Sequence, residues 1–159
     1  MNNAYFTKGR IIFEIITYVI LVVAVFYVLI FALQTKGDVP IRYDMKGNVS
    51  GYGSPWVLLF LPISMIFTNG IISLVLHLVP VTAWNMHIKV NPGKEFIVYG
   101  DMIKMMLGCM MILSVYSLVE TIFWALNIDQ TLLLSALMCI SLFVDIIYYM
   151  VVSARHNRL

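Results

Sequence analysis

Ile11-Ile12-Phe13-Glu14-Ile15-Ile16-Thr17-Tyr18-Val19-Ile20-Leu21-Val22-Val23-Ala24-Val25-Phe26-Tyr27-Val28-Leu29-Ile30-Phe31-Ala32-Leu33 is the stretch that decides the fold. Its 23 residues carry one ionisable side chain, Glu14, and a few hydroxyls. Crossing the hydrocarbon core of a bilayer takes roughly 20 helical residues, so residues 11–33 read as a membrane span. A secretory signal would have a shorter apolar core and a small-residue cleavage site. Phe31-Ala32-Leu33-Gln34 offers poor cleavage chemistry, and this helix is expected to be retained.

Three more apolar stretches follow at 56–79, 105–126 and 131–153. The second contains Pro62 and the Asn69-Gly70 pair, which membrane helices tolerate when neighbours satisfy the freed backbone groups. Only 127–130 separate the third from the fourth, and so short a link implies an antiparallel helical hairpin. The whole chain of 159 residues is 62% apolar and 11% charged. An ordinary soluble domain is about 45–50% apolar and about 25% charged, and one this small cannot hide so much apolar surface from water. Those figures exclude a water-soluble enzyme and a disordered chain. With a net charge of +2 and Lys and Arg confined to segment edges, a nucleic-acid surface is excluded too. The expected fold is a single all-α integral membrane domain over 1–159, with four transmembrane helices, an outer loop at 34–55 and an inner loop at 80–104.

Flanking charges set an orientation. With the N-terminus inside, the cytoplasm receives Lys8, Arg10, Lys89, Lys94, Lys104, Arg155 and Arg158, and the outside receives Lys36, Arg42 and Lys46. Seven against three favours both termini inside. Tyr52 and Trp56 on one side and Trp84 and Tyr99 on the other suit interfacial aromatic belts, although such residues also serve as packing between helices.

The two polar connectors differ in content. In the outer loop, Val39, Ile41, Tyr43 and Met45 alternate with other residues before Lys46-Gly47-Asn48, a pattern that fits a short hairpin. The inner loop can be read the same way around Asn91-Pro92-Gly93, with His87-Ile88-Lys89-Val90 and Glu95-Phe96-Ile97-Val98 as arms, or as a plain solvated connector.

The string Val39-Pro40-Ile41-Arg42-Tyr43-Asp44-Met45-Lys46-Gly47-Asn48-Val49-Ser50-Gly51-Tyr52-Gly53-Ser54 resembles, without a gap, the first extracytoplasmic loop of the SdpI-like family of bacterial membrane proteins. That family includes immunity proteins against a sporulation-delaying peptide toxin, which also take part in signalling. Where its pattern has His, Asn, Asp and Lys, this chain has Arg42, Asp44, Ser50 and Pro55. Pro40, Gly47, Gly51, Tyr52, Gly53 and Ser54 are kept, and most of these look architectural. Glycines permit tight turns, Pro40 fixes φ, and Ser54 before Pro55 makes an N-cap and first-turn pair for the second helix. The resemblance implies a non-enzymatic protein of the bacterial inner membrane that engages a peptide toxin or a membrane-protein partner. Arg42, Tyr43, Asp44, Lys46 and Tyr52 are the expected contact residues.

Ionisable groups within the spans form the other candidate site. Glu14, His77, Glu120 and Asp145 are expensive in hydrocarbon and are expected to face a partner or a wet cavity. Glu14, His77, Lys104 and Asp145 can converge toward the inner side, as a proton or ion relay or as interhelical hydrogen bonds. Glu14, read in the first turn of its span, also complements the helix dipole. Glu120, in line with Ser117 and Ser114, can pair with Arg42 or Lys46 as a clamp or as part of a ligand pocket. A small proton- or ion-coupled transporter, or an accessory subunit of one, is therefore the competing expectation.

Catalysis and cofactors are not expected. His77, His87 and His156 lie in separate segments without the i, i+4 pairing of a zinc helix, so no metal site is expected. Cys109 and Cys139 read as buried packing residues rather than a disulfide or a nucleophile. The eleven Met, including Met105, Met106, Met110 and Met111, read as adaptable packing rather than copper ligands. Oligomeric state is not encoded in any of these signals.

Overall fold

Inside a bilayer no water is at hand for the backbone, so each apolar stretch must close its own hydrogen bonds, which a helix does within one segment. The computed structural model of the protein describes residues 5–44, 48–84, 89–126 and 131–159. Four helices dominate: α1 (Lys8–Gln34), α2 (Phe60–Leu78), α3 (Glu95–Ala125) and α4 (Thr131–Arg158). All four are long and apolar enough to cross a membrane. Between α1 and α2 lie two antiparallel strands, β1 (Val39–Tyr43) and β2 (Val49–Gly53). A 3-10 turn over Pro55–Leu59 then runs straight into α2.

Side-chain pairs fix the helix directions. Asp101–His156, Cys109–Asp145 and Tyr116–Ser135 climb α3 while descending α4, so these two helices are antiparallel. Arg10 lies against Gly100 at one end and Val28 shares a cluster with Trp124 at the other, so α1 runs parallel to α3. Tyr5, the C-terminus of α2, the start of α3 and the end of α4 therefore share one end of the bundle, called the terminal end below. The β1–β2 hairpin sits at the opposite, hairpin end.

On α1 the buried residues Glu14, Thr17, Leu21, Ala24 and Val28 repeat at steps of three and four. On α3, Ile103, Leu107, Met110, Ser114, Ser117 and Thr121 keep the same beat. That spacing gives a narrow seam suited to helices crossing at a shallow angle. Ala24, Ser114 and Ser117 are small, which lets backbones approach where no hydrophobic force separates helix from lipid. Leu76, Val81, Ile103, Leu107 and Met110 form an apolar cluster toward the terminal end, and Val28, Val39 and Leu58 form another at the hairpin end.

α3 is the hub, packed against α1, α2 and α4. α4 leans on α3 and barely touches α1, and its most apolar stretch buries none of its residues. Phe143, Val144 and Ile147 are exposed. Such a face would be an aggregation hazard in water, but lipid tails solvate it in a bilayer.

Several expected boundaries move. α3 begins at Glu95, ten residues before the expected 105, so Glu95-Phe96-Ile97-Val98 is the first helical turn and not a hairpin arm. Gly93, at φ +84°, makes the turn before it, and Glu95 places an acid at the positive end of the helix dipole. Of the other arm, His87 and Ile88 lie outside the described residues, as does the 127–130 link, and Lys89 and Val90 form no strand. α1 begins at Lys8, which puts Glu14 in the second turn and away from the helix terminus. α4 continues to Arg158, five residues beyond expectation. Pro62 is tolerated because it falls in the first turn of α2, where a missing N–H costs little.

Candidate functional site

At the hairpin end the expected β-hairpin is present. Val39 pairs with Gly53, Pro40 with Tyr52, Arg42 with Gly51 and Tyr43 with Val49, with irregularities on either side of Arg42. Asp44 holds the turn: its carboxylate accepts from the Asn48 backbone N–H at 2.9 Å and from the Asn48 amide at 3.2 Å, while its own N–H donates to the Asn48 carbonyl. Asp44, expected among the contact residues, thus shapes the loop. Lys46 and Gly47 lie outside the described residues.

Gly53 is needed for close approach, and neither it nor Gly51 has a positive φ, which among the described glycines occurs only at Gly37 and Gly93. A Cβ on Gly53 would sit 2.6 Å from Ile41 Cδ1, whereas one on Gly51 would meet Arg42 Cβ at an ordinary 3.4 Å. Ser54 occupies the N-cap position but its hydroxyl makes no cap bond; Pro55 at the first position starts the 3-10 turn. Val39 is buried against Val28 and Leu58, which fastens the hairpin to the bundle.

Beneath the hairpin is a cavity of about 280 Å³ lined by Ile41, Arg42, Val57, Phe60, Leu61 and Trp124. It joins the hairpin to the starts and ends of two helices, and its walls are apolar except for one guanidinium. At the same end of the bundle Tyr52 and Trp56 are exposed, Tyr52 at 66%. Glu120 is only 1% exposed, next in line after Ser114 and Ser117 on the α3 seam. Arg42 makes no ion pair with it among the described residues; it lines the cavity instead.

Toward the terminal end, Glu14 is 7% exposed and does not act as a helix-dipole partner. The Ser73 hydroxyl donates to its carboxylate at 2.5 Å and His77 Nε2 lies 3.0 Å from it. Phe6 stacks on the His77 ring. Further along the bundle, Asn69 donates to Ser114 Oγ at 2.8 Å and to the Met110 carbonyl. Buried polar side chains thus recur along the bundle at Glu14, Thr17, Asn69, Ser114, Ser117 and Glu120, with the partly exposed Ser73 and His77 held against Glu14.

Asp145 and Lys104 do not join Glu14 and His77; they line a second region with Arg10. Asp145 Oδ2 accepts a weak bond from the Cys109 thiol at 3.7 Å. Its carboxylate lies so close to Gly108 that a Cβ there would come within 2.5 Å of Oδ1. Cys109 and Cys139 are both free, and Cys139 is exposed on α4 rather than buried. Among the described residues no three His, Cys, Asp or Glu gather as a metal-binding group.

Asp101, His156, Arg10 and Asn157 join the site without having been expected there. Asp101, 1% exposed, accepts from Lys104 Nζ at 2.9 Å and from His156 Nδ1 at 2.6 Å. Arg10 lies beside Gly100 and donates to the Tyr5 carbonyl. Around this carboxylate α3 and α4 are clasped, and Asn157 adds bonds to Asn91 and to the Lys89 carbonyl. Pro92-Gly93 followed by an acid was the available signal, since it marks a helix start and would have moved Asp101 from loop to helix.

No family model, curated protein or solved structure matches the chain.

Proposed function

We propose that the protein is a non-enzymatic protein of a bacterial cytoplasmic membrane, with both termini in the cytoplasm, that engages a peptide or membrane-protein partner through the β1–β2 hairpin, in the manner of toxin-immunity and signalling proteins. The carrying observation is the fastened hairpin over an apolar cavity lined by Arg42, Phe60 and Trp124, with Tyr52 and Trp56 exposed at the same end of the bundle. A rigid pocket with aromatic and Arg neighbours has the chemistry of a binding hot spot. The loop's resemblance to the SdpI-like pattern and the seven-to-three excess of Lys and Arg on the terminal side support the same reading.

The test is survival of host cells challenged with a panel of exported membrane-active peptides, with and without the protein. Protection is expected from the wild type, and loss of protection from Arg42→Ala and Tyr52→Ala at equal membrane level. Protection indifferent to both variants would sink the proposal.

One observation favours a second reading, an ion- or proton-coupled transporter. Buried polar residues recur from Glu14 through Thr17, Asn69, Ser114 and Ser117 to Glu120 along most of the bundle. Flux through reconstituted vesicles that disappears in Glu14→Gln or Glu120→Gln, with folding intact, would promote it.

A further inference from the structure

Between α1 and α4, which scarcely touch, α3 forms the floor of a groove. At the terminal end it opens into a cavity of about 530 Å³, a size typical of small-molecule sites. Its walls carry three charges on three helices: Arg10 on α1, Lys104 on α3 and Asp145 on α4. Phe13, Leu107 and Tyr149 supply the apolar remainder.

The charges are not used up within the protein. Lys104 donates one of its three protons to Asp101, leaving two. Arg10 donates to the Tyr5 carbonyl and keeps further N–H groups. Asp145 has no ion pair among the described residues, and only a weak thiol donor reaches it. Two cations with spare donors thus face a carboxylate with spare acceptors across one groove. Gly108, having no side chain, leaves the carboxylate room beside α3.

We propose that this cavity binds the headgroup of a zwitterionic, amine-bearing phospholipid of the phosphoethanolamine class. Its phosphate meets Arg10 and Lys104, its ammonium meets Asp145, and the headgroup lies across the groove. Basic pockets between membrane helices take lipid phosphates, and a carboxylate on the far wall selects a primary ammonium over an uncharged or fully methylated headgroup. Phe13 and Leu107 receive the glycerol and the start of an acyl chain. The proposal rests on the membrane placement of the helices and is independent of the hairpin reading.

The experiment delipidates the purified protein in detergent and offers an equimolar mixture of phosphatidylethanolamine, phosphatidylcholine and phosphatidylglycerol with identical acyl chains. Bound lipid is then counted by native mass spectrometry. Phosphatidylethanolamine should be enriched about tenfold over phosphatidylcholine, the scale of one charge-assisted hydrogen bond. Asp145→Asn should erase that preference, and Arg10→Ala with Lys104→Ala should remove retention of all three lipids. Equal retention of the three headgroups, or enrichment of phosphatidylglycerol alone, would overturn the proposal. So would displacement of the lipid by soluble phosphoethanolamine at equal concentration, which would make the site one for a free metabolite. Because the headgroup series is read on the wild-type protein, the result stands even if a variant fails to fold.

Discussion

At the hairpin end, Val39 meets Gly53 and Asp44 meets Asn48, partners that lie close together in the chain. At the terminal end, Asp101 meets His156 across 55 residues, Glu14 meets His77 across 63, and Asn91 meets Asn157 across 66. Local pairing is governed by turn chemistry and alternation, which a short string reveals. Pairing between helices depends on which residues face inward and at what depth, and both depend on where each helix begins. The hairpin end thus displays its side chains on a locally determined frame, whereas the terminal end is stitched from contacts that exist only once all four helices are in place.

The sharpest way to break this contrast is to remove the shared carboxylate. Asp101→Ala takes the acceptor from Lys104 and His156 together and leaves a gap where the buried carboxylate stood. A hydrogen bond to a charged group contributes about 1.5–3 kcal/mol, and two are lost here. Because Lys104 and His156 are partly exposed and can turn to solvent, the low end, about 3 kcal/mol for the two together, applies. Thermal unfolding in detergent should show a large loss, and His156→Ala a smaller one. A near-neutral Asp101→Ala would mean that the terminal end is held by apolar packing alone.

Next in size is Gly108→Ala, which drives a methyl into the Asp145 carboxylate and pushes α4 away from α3. Overpacking of this kind costs about 1–3 kcal/mol. The double variant Gly108→Ala with Asp145→Ala should recover most of that loss, since the clash disappears with its partner. Additive losses in the unfolding measurement would show that the two residues do not compete for one space.

Much of the architecture was legible before any coordinates. Four apolar runs of spanning length gave four helices, and Val39, Ile41 and Tyr43 alternating before Asn48 gave the hairpin. The seam of α1 was hidden because nearly every residue of 11–33 is apolar; when lipid and core are equally oily, hydropathy has no contrast from which to read a buried face. Asp101 was hidden for a different reason. Together with Glu95 and Lys104 it makes the first turns of α3 look like a polar connector, although the helix runs on through them. The meeting of Glu14 with His77 was expected but Ser73 and the loss of the helix-dipole role were not, because a start at Lys8 moves Glu14 off the helix terminus.

Within the hairpin, the two glycines of β2 separate backbone need from steric need. Gly53→Val should destabilise the hairpin by about 1 kcal/mol because its new side chain meets Ile41 at close range. Gly51→Val faces only ordinary contact with Arg42 and should change stability by less than about 0.5 kcal/mol. Limited proteolysis of the hairpin reads both. Trimming the neighbour with Ile41→Val should restore protease resistance to Gly53→Val; failure to do so would place the cause in the backbone.

The smallest expected effect on folding comes from the residue with the largest expected effect on partner engagement. Arg42 is exposed, faces Gly51 across the strands and lines the cavity beside Trp124, with no ion pair among the described residues. Replacing it with Ala removes no buried contact on which the bundle depends, so the unfolding midpoint should move by no more than about 0.5 kcal/mol equivalent. Protection in the peptide challenge should nonetheless fall, because a guanidinium at the rim of an apolar pocket is a strong anchor for a partner carboxylate or carbonyl. Arg42→Lys separates charge from shape. If the planar fork matters, Lys should rescue little; if only positive charge matters, it should rescue most. A loss of stability in Arg42→Ala as large as that in Asp101→Ala would dissolve the contrast between the two ends, since it would make the hairpin part of the clasp that holds the helices together.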